Sequence, residues 1–281
     1  MELNNNRNES FPNETLFSGS KKLLSDVCNC LRDYDFLVVG GWGPYFLSLN
    51  GSKKHPGTHD VDILFKSPNT IDWRNINTIM KCNGFTPSAK HAFQFWKAYP
   101  VTGSKETQNF LYNVDFLHPT DSADSTDDMY ISRYEYPIKP HELTKTSYHL
   151  ETISIPKGKL FFDHNLYQEY DISTVCGGPK LNVKFLDEVG IILSKAQSYK
   201  QKKRLRDAFD IATSIINGKE KKLIIKKLLE FHCAISEMNF DEIKKRTFDF
   251  AKNLINPDGS SYSITESEFN KVRNVLDLQQ E

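Results

Sequence analysis

The sequence predicts an α+β protein, a region of short strands and helices followed by a helical C-terminal region. Three observations predict it. Short apolar runs rich in β-branched and aromatic residues, punctuated by Gly, Pro and Asn, recur between residues 36 and 162. From residue 184 onwards apolar residues recur instead at helical spacing. No internal repeat unites the two regimes, so they read as separate parts of one chain. Residues 1–19 read as a polar, flexible N-terminus, 20–178 as the α+β domain and 179–281 as the helical domain.

Each element has its own reason. Leu23, Leu24, Val27, Cys28 and Leu31 share one helical face, which predicts a helix over 20–32. Phe36-Leu37-Val38-Val39 is a short apolar run that stops at Gly40-Gly41, the pattern of a buried strand and a tight turn. A short helix over 43–49 follows, with Pro44 tolerated in its first turn. Residues 50–58 form a loop, and Asp60-Val61-Asp62-Ile63-Leu64-Phe65 a strand that opens with carboxylates. Ile71, Ile76, Ile79 and Met80 predict a helix over 71–82. The segments 91–99 and 110–117 are aromatic-rich strands joined by a turn around Gly103. Residues 118–140 read as irregular, and Ile153–Ile155 with Leu160–Phe162 as a hairpin around Lys157-Gly158. Beyond 184, helical faces are formed by Leu186/Val189/Leu193/Ala196, by Leu205/Ala208/Phe209/Ala212/Ile216, by Leu228/Phe231/Ile235/Met238 and by Phe269/Val272/Leu276. Ser263 with Glu266 reads as the capping box of the last.

Composition removes several classes of function. The 281 residues carry 36 basic and 36 acidic side chains, so a histone-like or acidic-tail protein is excluded, while a local basic face stays open. Apolar residues at 38% and aromatic residues at 12% are enough for a packed core. No run of about 18 apolar residues occurs, so no membrane span is expected. The first residues lack the charged-then-apolar pattern of a secretion leader, and the cytoplasm is the expected compartment. The sequons at Asn8, Asn13 and Asn50 then read as accidental. Five scattered cysteines do not make a disulfide framework, and the Cys28-x-Cys30 pair reads as core and surface thiols.

Chemistry concentrates in residues 36–65. In a strand, residues i and i+2 point to the same face, so Asp60 and Asp62 aim into one site. Paired carboxylate oxygens suit Mg²⁺, which is held by a few carboxylates together with substrate phosphates. Gly40-Gly41 at a helix start lets the backbone approach a phosphate. A third carboxylate, Asp115, sits among apolar neighbours in a later strand, where an unpaired charge is costly. Each piece alone also has an ordinary reading: a solvated acid pair, a turn, a hydrogen-bonded structural Asp.

The order Gly40-Gly41-Trp42, then Asp60-x-Asp62, then Asp115 resembles the DNA polymerase β-type nucleotidyltransferase superfamily. The segment Leu186–Asp210, with Lys195 preceding Arg206-Asp207-x-x-Asp210, resembles the helical segment of the abortive-infection nucleotidyltransferases of type IV toxin–antitoxin systems. The motif covers about 80 residues and the helical match about 25 more; 118–180 and 217–281 match nothing. The resemblance implies a nucleotidyltransferase fold, a mixed β-sheet flanked by helices. It implies NMP transfer from an NTP, with two Mg²⁺ ions held by Asp60, Asp62 and Asp115, and with Gly40, Gly41, Trp42, Lys195 and Arg206 binding the nucleotide. It also implies an RNA acceptor, a tRNA end, and a cognate antitoxin. Trp42 stands where a Ser is frequent in the superfamily. Gly-Gly-Trp is similar to aminoglycoside nucleotidyltransferases, which keeps a small-molecule acceptor open. An inactive nucleotide-binding module is the third alternative.

Outside this constellation, residues 195–227 hold eleven Lys or Arg and three acids. They read either as a solvated helical face or as a patch facing phosphates. Asp207 and Asp210 read, on the plainer view, as helical partners of Lys203 or Arg206. His55 and His59 read as surface groups, because no zinc-type pair accompanies them. The acidic Asp121–Asp128 stretch lacks the Gly and terminal Glu of a calcium loop and reads as solvated.

Overall fold

The computed structural model describes residues 13–88, 91, 93–103, 106–120, 131–138, 148–196, 198–231, 235–236, 238–252, 254 and 261–277. The acidic 121–128 stretch, Cys233 and most of the N-terminal segment lie outside them. The chain is α+β: a mixed sheet flanked by helices, and a C-terminal helical region. It divides into two compact units, Met1–Val38 with Thr58–Phe162 and Glu169–Lys184, and Val39–Gly57 with Asp163–Gln168 and Phe185–Glu281.

The first unit is built on the sheet. Its strands are β1 (Phe36–Val39), β2 (Val61–Phe65), β3 (Thr86–Pro87), β4 (Gln94–Thr102), β5 (Thr107–Thr120), β6 (Ile131–Ile138), β7 (Tyr148–Pro156), β8 (Tyr167–Asp171) and β9 (Asn182–Leu186). They lie in the order β3-β4-β5-β2-β1-β9-β8, with β7 pairing the end of β5 and β6 pairing β7. The pairs β2–β5 and β5–β7 are parallel; β3–β4, β4–β5 and β6–β7 are antiparallel.

Alternation decides which face is core. Val61, Ile63, Val114, Phe116 and Phe95 have no exposed surface. They meet Trp73 of helix α3 (Trp73–Cys82), whose ring lies 5.2 Å from Phe65 and 6.3 Å from Phe116. Helix α1 (Asn13–Cys30) covers the same face. Its Asp26 takes Lys97 Nζ at 2.5 Å and the Tyr99 hydroxyl at 2.7 Å, and its Leu16 carbonyl takes the Tyr112 hydroxyl at 2.6 Å. Burial pushes the Tyr112 hydroxyl up to about 12. The opposite face of β2, β4 and β5 carries Asp62, Gln94 and Asp115.

The second unit holds α2 (Trp42–Leu49), α6 (Glu188–Lys195), α7 (Leu205–Asn217), α8 (Lys221–Glu230), α9 (Phe240–Ala251) and α10 (Glu266–Asp277). Two short helices, α4 (Lys159–Asp163) and α5 (Ser173–Cys176), precede α6 in the chain. Phe209 of α7 packs with Ala251 and Tyr262, and the ring of Phe46 on α2 lies tilted 4.4 Å from that of Phe185. Asp187 caps α6 by accepting from Gly190 N, and Asn239 caps α9 by accepting from Glu242 N. Lys221 closes the end of α7: its ammonium donates to the carbonyls of Ile215, Ile216 and Gly218.

Several expectations are corrected. Helix α1 starts at Asn13, seven residues before the expected 20, because its apolar stripe already begins with the buried Phe17. Leu160–Phe162 lies in helix α4, not in a hairpin strand. Gly158 N returns to Ile155 O and Leu160 N to Lys157 O, so the turn winds into a helix that buries Phe161 and Phe162. Residues 118–140 are not all irregular: β5 runs to Thr120 and β6 spans Ile131–Ile138. Strand β9 is hidden at the onset of helical spacing, although its Val183 and Phe185 alternate into the core. The capping box of α10 is Thr265/Glu268. Thr265 N donates to Glu268 Oε2 at 2.8 Å, and Glu268 N to Thr265 Oγ1 at 3.3 Å. Among the described residues Cys28, Cys30, Cys82 and Cys176 are free thiols, with Cys28 buried and Cys82 exposed.

Candidate active site

The polar face of the first unit is organised by register. In the parallel β2–β5 pair, Asp62 stands opposite Asp115. In the antiparallel β4–β5 pair, Asp115 stands opposite Gln94. Registered neighbours share a face, so Gln94, Asp115 and Asp62 form one polar row across three strands. The flanking positions Val61, Ile63, Val114, Phe116 and Phe95 on the other face are apolar and buried, which leaves the row no freedom to turn inwards. Asp60 sits at the bend before β2 rather than inside the strand, and the Thr58 hydroxyl donates to its Oδ1. His59 Nδ1, 3.4 Å from Ser20 Oγ of α1, ties the same bend to the helix.

Asp115 is the electrostatic centre. Its Oδ1 accepts from Gln94 Nε2 at 2.7 Å and from Asn113 Nδ2 at 3.2 Å. Burial raises its carboxyl to about 6. The two amides oppose that shift, and the charge of Asp60 adds to it. Two carboxylates that feel each other in a partly buried site form an oxygen-only donor set which a cation relieves. That set fits Mg²⁺, a hard ion that completes its coordination with water and phosphate oxygens. Among the described residues no group of three or more His, Cys, Asp or Glu side chains is by itself arranged to hold a metal ion.

The second unit holds the other residues singled out in the sequence. Gly40 adopts φ +71°, a conformation that glycine takes freely, and Gly41 is the N-cap of α2. Trp42 is fully buried, edge-on to Tyr45 at 5.7 Å and tilted against Phe46 at 6.2 Å. Lys195 is 8% exposed, and its Nζ lies 2.7 Å from Asp207 Oδ1 and 2.9 Å from Asp210 Oδ2. Ser198 Oγ donates to the other Asp207 oxygen at 2.6 Å. Arg206 stands 3.6 Å from Asp210 Oδ1, while its buried Nε and Nη2 find no hydrogen-bond acceptor among the described residues.

His55, expected at the surface, is instead buried. Its Nδ1 accepts from Gly57 N at 3.1 Å, so Nε2 carries the proton and donates to Asp210 Oδ1 at 2.9 Å. Burial holds His55 below its ordinary pKa despite that carboxylate. Burial alone would raise Asp210, but Lys195 and Arg206 hold it far below the carboxylate range. For Lys195 burial is likewise outweighed, by Asp210 and Asp207, and its ammonium is stabilised. Lys195 of the preceding helix thus bridges Asp207 and Asp210, and Arg206, one of the two partners expected from helical spacing, also faces Asp210. Lys203, the alternative from helical spacing, is exposed. His118 is also buried, with Nδ1 2.8 Å from Thr152 Oγ1.

Sequence reasoning missed Gln94 and Thr58. A polar residue opening the aromatic strand Gln94-Phe95-Trp96 is the available signal for the first, and a hydroxyl two residues before Asp60 for the second.

No protein-family model matches the chain, and no curated protein matches it. Among solved structures, the chain is similar to JHP933 of Helicobacter pylori, with 11% identity, TM-score 0.43, and 96% of this chain and 92% of that one covered. It is also similar to an antigenic nucleotidyltransferase-like protein of Paracoccidioides brasiliensis, with 15% identity, TM-score 0.33, and 83% and 94% covered. At these TM-scores neither likeness fixes a function. Among the described residues no helix is long and apolar enough to cross a membrane.

Proposed function

We propose that the chain is a Mg²⁺-dependent nucleotidyltransferase that moves a nucleoside monophosphate from an NTP to an acceptor hydroxyl. The observation that carries the reading is the row on the polar face: Asp62 in register with Asp115 on a parallel neighbour, with Asp60 two residues upstream and close enough to raise Asp115. Asp60, Asp62 and Asp115 would hold the ions. When bound, Mg²⁺ lowers the pKa of the acceptor hydroxyl and neutralises charge on the departing pyrophosphate. Asp60 and Asp62 would hold the ion that the triphosphate brings, and position the triphosphate through it. Asp115 has Oδ1 occupied by two amides, so Oδ2 would face the ion and the attacking hydroxyl and take its proton. Catalysis is then mostly positioning and electrostatics.

The reading gives the nucleotide to Gly40, Gly41, Trp42, Lys195 and Arg206, with Gly40, Gly41 and Lys195 at the phosphates. The unaccepted donors of Arg206 support its share, while Lys195 is engaged by two carboxylates and acts by holding them. The acceptor is RNA, with the chain acting as the toxin of a pair with an antitoxin. Two features support this: the resemblance of 186–210 to the toxin enzymes, and an exposed cationic turn. Lys202, Lys203 and Arg204 are all exposed, and Arg246 Nη1 anchors the turn by donating to the Gln201 carbonyl at 3.2 Å. The test is incubation of purified protein with each labelled NTP and total RNA, followed by electrophoresis. Labelled RNA supports the proposal. Label on an added aminoglycoside moves the acceptor to small molecules, and NTP binding without label leaves a nucleotide-binding module.

A further inference from the structure

Asp115 is held by amides rather than by cations. Gln94 Nε2 and Asn113 Nδ2 both donate to Oδ1, at 2.7 and 3.2 Å, and no described residue donates to Oδ2. Both donors come from positions fixed by the strand ladder: Gln94 is the registered partner of Asp115 on β4, and Asn113 lies two residues before it on β5. A carboxylate gripped twice at one oxygen cannot rotate freely, so the direction of the other oxygen is set before any ligand arrives.

Gln94 carries a second, independent signal. It is 7% exposed, and its Oε1 is buried without a donor among the described residues, although the same amide's nitrogen is well bonded. A buried carbonyl oxygen is rarely left unpaired in a folded chain. Oε1 and Nε2 share one planar group, and Nε2 faces Asp115, so a donor that reaches Oε1 must lie beside Asp115. The described residues provide none, whereas a water on a divalent cation or an acceptor hydroxyl would.

We infer that Gln94 is the positioning residue of this site: its amide turns Asp115 Oδ2 towards the cation and the attacking hydroxyl, and its carbonyl accepts a hydrogen bond from the water or hydroxyl bound there. The inference rests on the nucleotidyltransferase reading of the same carboxylates. Residues that orient a metal ligand typically change metal affinity by about 10–100-fold when removed.

The test is titration of the full-length protein with Mn²⁺ alone, followed calorimetrically, for wild type, Gln94→Met and Asn113→Ser, each with a melting curve. Gln94→Met keeps the side-chain length and removes both polar atoms. It is expected to weaken Mn²⁺ binding about tenfold or more with an unchanged melting temperature, and to lower kcat with little change in the NTP KM. Asn113→Ser removes the second donor to the same oxygen and is expected to shift Mn²⁺ affinity in the same direction by several-fold. It decides the matter if Gln94→Met does not fold. Wild-type Mn²⁺ affinity in a folded Gln94→Met protein, or in Asn113→Ser if only that variant folds, overturns the inference alone. A wild-type protein that binds no Mn²⁺ overturns the metal reading itself, and the inference with it.

Discussion

Asp60 and Asp62 differ from ordinary surface acids: Asp62 shares a face with Asp115, and Asp60, at the bend before β2, adds with burial to raise the Asp115 carboxyl to about 6. Asp60→Asn and Asp62→Asn are each expected to reduce nucleotidyl transfer below about a tenth of wild type, roughly 1.4 kcal/mol of barrier or more, with a near-native melting temperature. Label transfer and thermal denaturation measured side by side check this. For Asp115 the sign follows from a folded-state value above the ordinary 3.8. Below pH about 4 both states hold the proton. Between about 4 and 6 the unfolded chain ionises first, and above about 6 the metal-free fold carries an unfavourable buried charge. Asp115→Asn is therefore expected to stabilise the metal-free protein at pH 8, by about 1–3 kcal/mol, and not at pH 4. Urea unfolding at the two pH values measures it, and equal effects at both would show that the carboxyl is not raised.

Helices α6 and α7 are joined by charge as well as by apolar packing. Lys195 lies between Asp207 and Asp210, and His55 donates to the latter, in a cluster whose carboxylate Asp210 has no exposed surface. Removing one partner of a buried pair leaves an uncompensated charge, so Lys195→Met or Asp210→Ala is expected to cost about 3–5 kcal/mol. Asp210 is held below its ordinary pKa, so its contribution is present at neutral pH and lost on acidification below about 4. Urea midpoints of the variants at neutral pH check the magnitude. A variant with a native midpoint but lost NTP binding would show that Lys195 serves the ligand directly. At α10, Thr265→Ala is expected to cost about 1 kcal/mol, while Ser263→Ala should cost little, since Thr265 rather than Ser263 makes the reciprocal cap.

Across the whole chain 36 basic and 36 acidic residues cancel, so any attraction to RNA must come from a local excess. The exposed Lys202, Lys203 and Arg204 are that excess. Reversing all three to Glu is expected to weaken RNA binding and to flatten the dependence of log K on log salt, by about 0.7 for each phosphate no longer neutralised. Filter binding across a salt series reads the slope. An unchanged slope would make the turn ordinary solvated surface and favour a small-molecule acceptor.

The α+β class and the strand–turn–helix at 36–49 are legible from residue order alone, whereas the strand face expected to be shared by Asp60 and Asp62 is not, because β2 begins at Val61 and Asp60 stands at the bend before it. The legible features depend on local periodicity: an alternation of two, a helical spacing, a glycine where the chain must turn. The acid row became definite only through strand register. Nothing local says that Asp115 pairs with Asp62 on one side and Gln94 on the other, because that pairing joins segments some fifty and twenty residues apart in the chain. The choice of Lys195 over Lys203 for Asp207 and Asp210, the burial of His55, and Thr265 over Ser263 as the α10 cap are decided in the same way. Each is a competition between locally equivalent partners. Tertiary packing settles it, because it sets which polar group is desolvated and must therefore be satisfied.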